Sequence, residues 1–166
     1  EKVMIVNSFS KTFAMTGWRI GYIISTNLEA MKQVIKIQYY ISACSNDAMQ
    51  HAVLEAMEKA YDYPSKIAQQ FKERCVLIVD RLNAMPGVEC HKPKGAIYVF
   101  PKVTVDGMNS QEIAMELLKD GVLCSPGSAF GPSGEGHLRF AYTISLEDIS
   151  RGMDKVEQTL LRLQQT

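Results

Sequence analysis

The sequence lacks the cysteine pairs that structural zinc sites and redox-active sites need. Its four cysteines are scattered, no two of them form a Cys-x-x-Cys pair, and no histidine stands beside one at ligand spacing; they are Cys44, Cys75, Cys90 and Cys124. A metal site is therefore not expected. Scattered thiols are typical of proteins in a reducing compartment, so the sequence predicts a cytoplasmic protein with free cysteines.

An excess of charge of one sign is also missing. The 18 basic and 18 acidic residues cancel, and a strong positive excess is what draws proteins to nucleic acids and anionic membranes. No apolar run approaches the roughly 20 residues that span a bilayer, and no signal peptide opens the chain. We therefore expect neither a nucleic-acid partner nor a membrane. The chain starts at Glu1 without an initiator methionine, which indicates an internal residue of a longer protein.

The first part of the chain has the pattern of strands and helices that belong to a larger sheet. Two short apolar runs, residues 3–6 and 19–24, are typical of buried strands and are joined by a polar turn. A helix is predicted after a capping box that begins at Thr26. The next helix carries an apolar stripe, and its predicted cap is Ser45 or Asn46.

A proline-containing segment, residues 61–65, interrupts this helical pattern, because proline disfavours the helical conformation in the residue before it. We therefore predict a domain boundary after Pro64, with residues 1–64 as an incomplete piece of a domain and residues 65–166 as a compact α+β unit. The elements predicted in that unit are a helix at 66–85, strands at 88–91 and 96–100 joined across 92–95, a helix capped by Asn109 and Glu112, a short strand at 122–124, a strand at 137–143 and a last helix capped by Ser145–Asp148.

Residues 8–21 carry the chemistry of the chain. The amine of Lys11 is the kind of group that bonds covalently to an aldehyde cofactor and, once released, carries a proton. A phosphate group needs hydroxyl donors and a positively charged fork, which Ser8, Ser10 and Arg19 supply from one turn and its neighbouring strand.

An isolated lysine in a polar turn is most often a solvated surface residue, so Lys11 alone carries no prediction. The segment is informative because several residue types occur together at fixed spacing. Gly17 and Gly21 add positions where the backbone can approach a neighbour closely.

Residues 8–21 resemble the cofactor-lysine signature of the class I and II aminotransferases, pyridoxal-phosphate enzymes with the fold of aspartate aminotransferase. The signature has a small or hydroxyl residue three positions before the lysine, another directly before it, and an arginine eight positions after it that is followed by an aliphatic residue and glycine. The resemblance implies that Lys11 is catalytic and holds pyridoxal 5'-phosphate, and that Ser8, Ser10 and Arg19 bind the cofactor phosphate. It also implies an α/β parent protein of fold type I, in which this chain is the end of the large domain plus an α+β small C-terminal domain.

Later segments resemble the same family in the same order. Residues 93–101 resemble its proline-x-glycine-alanine segment, which implies that Gly95 and Ala96 line the substrate side chain; an ordinary hairpin turn is an equal alternative. Residues 122–131 resemble the stretch that ends in proline-glycine-x-x-phenylalanine-glycine. The strand around Arg139 resembles the one whose arginine grips the substrate α-carboxylate, and a planar guanidinium suits that task because it forms two parallel hydrogen bonds.

The resemblance implies transfer of an amino group from an amino acid, aspartate-like or aromatic, to a 2-oxo acid by a homodimer. Family members also have a long region before the cofactor lysine, which supplies the aspartate on the cofactor's pyridine nitrogen. We therefore expect the chain alone to be inactive and the apolar faces of its first strands to lie open.

Other classes stay open on the sequence alone. Carbon–sulfur lyases and cyclopropane-forming synthases share the fold and the cofactor, and product analysis would separate them from an aminotransferase. Transcription regulators carry an aminotransferase-like domain behind a DNA-binding one, and a stand-alone structural domain is a further alternative. The coding sequence upstream of Glu1 would decide between these.

Overall fold

The computed structural model describes residues 3–165, which divide into two units between Ile67 and Ala68. The elements that begin in the first unit are β1 (Ile5–Ser8), α1 (Phe9–Thr12), β2 (Gly21–Ile24), α2 (Leu28–Ser42), α3 (Asp47–Lys59) and α4 (Tyr63–Asn83). The second unit contains most of α4, followed by β3 (Val88–Glu89), β4 (Tyr98–Val99), β5 (Lys102–Val103), α5 (Ser110–Lys119), β6 (Ser125–Pro126), β7 (Leu138–Ala141) and α6 (Leu146–Leu163).

Strands β1 and β2 form an antiparallel pair in which Ile5 lies opposite Ile24 and Ser8 opposite Gly21. The sequence predicts both strands, but the first is displaced from residues 3–6 to residues 5–8. Every residue of the two strands is exposed. The expectation that their apolar faces lie open is confirmed.

Asparagine side chains cap the two helices that follow. Asn27 accepts a hydrogen bond from the backbone N–H of Ala30 at 3.0 Å, and Asn46 accepts one from Met49 at 3.2 Å. The predicted cap at Thr26 is wrong by one residue, because α2 begins at Leu28 and the side chain directly before a helix is the one that reaches its free N–H groups. The prediction of Asn46 is confirmed.

Helix α4 begins at Tyr63, so the prediction that Pro64 precedes the helix is wrong. Pro64 is the second residue of α4, where its missing N–H costs little because the first N–H groups of a helix have no partner within it. The buried side of α4 lies in the second unit and consists of Cys75, Ile78, Val79 and Leu82.

The second unit contains two small antiparallel sheets. Strand β3 pairs with β5, and β7 is the middle strand between β4 and β6. The strands predicted at 88–91 and 96–100 therefore do not pair with one another. The strand predicted at 122–124 is also displaced, because the residues that pair with β7 are Ser125 and Pro126.

The core of the second unit follows the predicted periodicities. Leu138 and Phe140 on β7 and Tyr142 directly after it are buried, which confirms the predicted alternation. The predicted stripe of α6 is also buried, namely Ile149, Met153, Val156 and Leu160. No helix within residues 3–165 is both long enough and apolar enough to cross a membrane.

Candidate active site

The hairpin of the first unit brings the predicted cofactor-binding residues together. Ser8 ends β1, and the single-turn helix α1 carries Ser10 and Lys11. Ser8 lies opposite Gly21 in the strand register, so Arg19 comes from the approach to the paired strand. Hydroxyl, amine and guanidinium groups thus come from adjacent segments of backbone.

Contacts between the two segments fix helix α1 against β2. The backbone N–H of Phe9 donates to the carbonyl of Ile20 at 3.2 Å, and the rings of Phe9 and Tyr22 lie 5.4 Å apart. Gly21 has no room for a side chain, because a Cβ there would lie 2.5 Å from the carbonyl oxygen of Asn7. At Gly17, by contrast, a Cβ would meet no atom within 4 Å, so chain packing gives no reason for that glycine.

Three of these functional groups, the side chains of Ser8, Ser10 and Lys11, form no bond with the other described residues. Lys11 is exposed, and its ammonium forms no hydrogen bond or ion pair within residues 3–165. Within the same residues, the hydroxyls of Ser8 and Ser10 form no hydrogen bond, although Ser10 is buried. These groups are available to a ligand.

The loop after Lys11 has an unusual backbone. Ala14 and Arg19 have φ values of 54° and 53°, a left-handed conformation that costs a residue with a Cβ roughly 1–3 kcal/mol. The guanidinium of Arg19 donates to the carbonyl of Thr16 at 2.9 Å, which holds its side chain over the loop. Strain of this kind is concentrated at functional sites, because the surrounding structure must maintain it.

Arg139 occupies the middle strand of the second unit. It lies opposite Ser125 in the register of β7 and β6, is half-buried, and donates from Nη2 to the hydroxyl of Ser125 at 3.3 Å. Its guanidinium carbon lies 4.6 Å from the ring centre of Tyr98 and 4.5 Å from that of Phe130. No carboxylate within residues 3–165 forms an ion pair with it. The guanidinium can therefore accept an external carboxylate.

The Gly95–Ala96 segment is attached to the end of β7. Ala96 has a left-handed φ of 67°, and its carbonyl accepts a hydrogen bond of 2.9 Å from the hydroxyl of Tyr142. Burial disfavours the charged tyrosinate and raises the pKa of Tyr142 to about 12, so this hydroxyl stays a donor. The segment is not a β-hairpin turn, because β3 and β4 on its two sides pair with other strands.

Two glycines shape the loop that carries Phe130. A Cβ on Gly127 would collide with the carbonyl of Gly134, so both positions require glycine. The Glu135 carboxylate accepts hydrogen bonds from the backbone N–H of Ser110 at 2.7 Å and of Gly136 at 2.8 Å, which hold its pKa below the usual value. The loop is thus attached to the first turn of α5.

Three residues that contact Arg139 had no role predicted from the sequence, namely Tyr98, Ser125 and Phe130. A signal was present for two of them. Tyr98 closely follows Gly95 and Ala96, and Phe130 is the phenylalanine of the proline-glycine-x-x-phenylalanine-glycine stretch. Nothing local marked Ser125, whose contact depends on the pairing of β6 with β7.

Two of the four cysteines, Cys90 and Cys124, lack the features of a reactive thiol. Burial raises the pKa of both Cys90 and Cys124 to about 11, which disfavours the nucleophilic thiolate. Within the described part of the chain, no group of three or more His, Cys, Asp or Glu side chains is placed to hold a metal ion.

Comparison with known proteins identifies the family. The family model "Aminotransferase class I and II" matches residues 1–156. The chain belongs to the class I and II aminotransferases. The predicted family is confirmed.

Individual relatives of this aminotransferase chain agree with the family. It is 37% identical to an aspartate aminotransferase of Pyrococcus horikoshii, with 96% of this chain and 41% of that protein covered. It is 35% identical to a probable N-acetyl-LL-diaminopimelate aminotransferase of Bacillus subtilis, with 98% and 41% covered. The chain thus spans about two fifths of the length of these curated relatives. Neither relative is named a lyase, a synthase or a regulator.

A solved structure establishes the fold. The crystal structure of an aromatic aminotransferase from Pyrococcus horikoshii matches with a TM-score of 0.91 and 34% identity, and the match covers 98% of this chain and 44% of that one. The aminotransferase chain is therefore part of the aspartate aminotransferase fold, and the predicted α/β fold class is confirmed.

Proposed function

We propose that this chain is part of a longer, pyridoxal-phosphate-dependent aminotransferase that transfers an amino group from an amino acid to a 2-oxo acid. Residues 1–64 are assigned to its large cofactor-binding domain and residues 65–166 to its small C-terminal domain. The family and the names of the relatives support this proposal. The observation that carries it is the hairpin, which brings onto adjacent segments an arginine, two hydroxyls and a lysine, the last three without a bonding partner among residues 3–165.

The donor set of the hairpin fits pyridoxal phosphate. A phosphate ester takes hydroxyl donors and a guanidinium, which Ser8, Ser10 and Arg19 supply. An aldehyde takes a primary amine, and the ammonium of Lys11 has no competing carboxylate within the described residues. When bound, the cofactor supplies this aldehyde and an electron-accepting ring that stabilises charge at the substrate α-carbon.

The role assigned to Lys11 follows from the chemistry of its amine. Its Nζ would hold the cofactor through the cofactor's aldehyde and would give up that place to a substrate amine. The freed Nζ would then serve as the group that moves the proton at the substrate α-carbon. Exposure of the side chain is consistent with this exchange, since Nζ must be able to leave and return.

Arg139 is assigned to the substrate α-carboxylate, and Gly95 and Ala96 to the wall along the substrate side chain. Arg139 is half-buried without an ion pair in the described residues, which is costly unless an anion arrives during function. The Ala96 carbonyl accepts a hydrogen bond from Tyr142, its backbone is left-handed, and neither Gly95 nor Ala96 carries a bulky side chain. Aspartate-like and aromatic amino acids both remain in the proposed substrate class.

The proposed assembly is a homodimer in the cytoplasm. Helix α2 has no buried residue, and its large apolar side chains face solvent, among them Ile35, Tyr39, Tyr40 and Ile41. Apolar patches of this kind mark interaction surfaces. The unpaired thiols support a reducing compartment.

The test is the covalent bond at Lys11. Full-length protein loaded with pyridoxal phosphate should absorb visible light, and reduction with borohydride should leave the cofactor attached to Lys11, as mapped by mass spectrometry. Lys11→Ala should abolish the adduct. Lys36→Ala, an exposed lysine on α2, is the matched control and should keep it. An adduct mapped to another lysine would refute the assignment.

A further inference from the structure

The two aromatic rings beside Arg139 are partly exposed to solvent. Tyr98 is 37% exposed and Phe130 is 51% exposed, so neither belongs to the buried core. Each nevertheless lies within 4.6 Å of the guanidinium carbon, measured to its ring centre. The structure pairs these two exposed rings with the one guanidinium to which the proposed function assigns substrate binding.

We propose that Tyr98 and Phe130, together with Ser125, are positioning residues that orient the Arg139 guanidinium for carboxylate binding. The proposal rests on the proposed function, in which Arg139 binds the substrate α-carboxylate. It adds three residues that never touch the reacting atoms but determine where the guanidinium points.

The geometry of a guanidinium explains how Arg139 can contact the rings, Ser125 and a carboxylate at the same time. Its N–H groups lie in one plane and bind carboxylates at the edge of that plane, whereas aromatic rings attract the cation from above its face. Cation–π contact with Tyr98 and Phe130 therefore restricts where the guanidinium lies, and it leaves the N–H groups of the guanidinium for hydrogen bonds to a carboxylate. The hydroxyl of Ser125 accepts from Nη2 at 3.3 Å and fixes the rotation within the plane. Arg139 thus loses rotamer freedom before the carboxylate arrives, and binding is stronger as a result.

Phe130 itself is held by a well-fixed loop. Its ring meets Phe100 edge-on at 5.9 Å, and Phe100 stacks on His137 at 5.0 Å. The close approach of Gly127 to Gly134 and the hydrogen bonds of Glu135 hold the loop backbone. The ring therefore has a fixed position from which to orient Arg139.

The test compares carboxylate binding in ring-deleting and ring-retaining variants of the full-length, cofactor-loaded protein. Phe130→Leu and Tyr98→Leu should each weaken binding of 3-phenylpropanoate or succinate, measured by calorimetry, by roughly 5- to 30-fold. Phe130→Tyr and Tyr98→Phe keep a ring and should bind nearly as the wild type does. In turnover, Phe130→Leu should raise KM for the amino acid far more than it lowers kcat. The visible absorbance of the cofactor should not change.

Phe71→Leu is the matched control, because Phe71 also lies under a guanidinium, that of Arg74 at 5.2 Å, in the same unit. It should leave carboxylate binding unchanged, which separates positioning from a general loss of stability. A second control is the slow reaction with 2-phenylethylamine, an amine without a carboxylate, whose rate Phe130→Leu should not alter.

Each outcome decides the proposal. Wild-type affinity in Phe130→Leu and Tyr98→Leu, or equal losses for ligands with and without a carboxylate, would overturn it while leaving the aminotransferase function intact. Carboxylate binding that depends on both rings in a protein that transfers no amino group would support the positioning role and reject the proposed function. A wild-type protein that binds neither probe would overturn both.

Discussion

In the first unit most large apolar side chains face solvent, whereas in the second unit they pack into a core. Ile20 and Val53 are the only hydrophobic residues buried among those described in the first unit. The second unit buries apolar residues from α4, β7, α5 and α6 in one cluster. The two halves of the chain thus have similar elements but different degrees of structural independence.

Ion pairs show the same difference. Among the described residues of the first unit they join side chains three or four positions apart along the chain, such as Lys59 with Glu55 on α3. In the second unit, Arg81 on α4 bonds Asp154 on α6. Pairs within one helix stabilise that helix alone, while pairs between helices stabilise the tertiary structure. The first unit is therefore a set of local structures that need an external surface, and a two-stranded hairpin is marginal by itself.

The largest effect expected from this difference is self-association of the 166-residue chain through the residues before Pro64. The uncovered strands and α2 expose apolar area that a second copy can cover. Sedimentation should show concentration-dependent association, and Ile41→Asp, at an exposed position of α2, should reduce it. Leu123→Asp, at a leucine of the second unit that is also largely exposed, is the control and should not reduce it.

The same chain should form at most a weak, non-selective lysine adduct with pyridoxal phosphate and should not transfer amino groups. Titration of visible absorbance measures the adduct. A clean monomer that binds the cofactor tightly and transaminates would contradict both expectations, and the first unit would then be complete as it stands.

Among substitutions in the second unit, Arg139→Leu should cause the largest loss of substrate binding. In the full-length enzyme it should weaken every α-carboxylate substrate by roughly 2–5 kcal/mol, because the carboxylate loses its charged partner. Amines without a carboxylate should be spared. Arg74→Leu, which removes the other guanidinium that lies over a ring, should have little effect on either class. Equal losses for both classes would assign Arg139 a structural role.

A pair of leucine substitutions tests the burial difference itself. Leu82 is 0% exposed in the second unit, and Leu28 is 72% exposed in the first. Leu82→Ala should lower the free energy of unfolding by about 2–5 kcal/mol, because it leaves a cavity, whereas Leu28→Ala should change it by less than about 0.5 kcal/mol. Urea denaturation of the same chain measures both. Similar losses from the two variants would show that α2 is packed against another surface, for example in a dimer.

Local periodicity made much of the second unit predictable from the sequence. The alternation along β7 and the stripe of α6 are properties of consecutive residues, and the capping box of Asn109 with Glu112 lies within one turn. The partners of the strands were not predictable in this way. The pairing of β3 with β5 depends on tertiary contacts rather than on neighbours in sequence, and short strands have little register information of their own.

The candidate site residues differ in the same way in how far the sequence alone could predict them. Lys11, its serines and Arg19 lie within one short segment, so their resemblance to a known signature was readable and the hairpin brings them together. Tyr98 and Ser125 become neighbours of Arg139 only when β4 and β6 pair with β7. Because these contacts join residues of three strands, residue types alone cannot predict which side chains surround the Arg139 guanidinium.

The smallest expected effect concerns a carboxylate that joins α5 to α6 in the second unit. The side chain of Asp120 accepts hydrogen bonds from the buried Thr159 hydroxyl at 2.6 Å and from Arg162 at 2.7 Å. The hydrogen bond from Thr159, which has the larger effect, and the one from Arg162 hold the pKa of Asp120 below its ordinary value of about 4. Arg162 also donates a hydrogen bond to the carboxylate of Glu116, and the ammonium of Lys155 donates one to the backbone carbonyl of Asp120.

The sign of the pH dependence follows from that lowered pKa. As the pH falls, the unfolded chain takes up the proton on Asp120 before the folded chain does. The stabilisation by Asp120 is therefore complete above the unfolded pKa and is lost as the pH falls through the folded value. Asp120→Asn should be less stable than the wild type at neutral pH, and the difference should shrink on acidification below about pH 4.

Urea midpoints measured for wild type and Asp120→Asn between neutral and acidic pH give this difference directly. Asp106→Asn is the control, because Asp106 is exposed and forms no bond within the described residues, so its midpoints should follow the wild type throughout. If the difference in midpoint between Asp120→Asn and the wild type instead stays constant with pH, the hydrogen bond from Thr159 accounts for the stabilisation, and the charge of Asp120 contributes nothing to it. A difference that shrinks as predicted would show that charges between helices stabilise the second unit, whereas the described residues of the first unit form no such pair between helices.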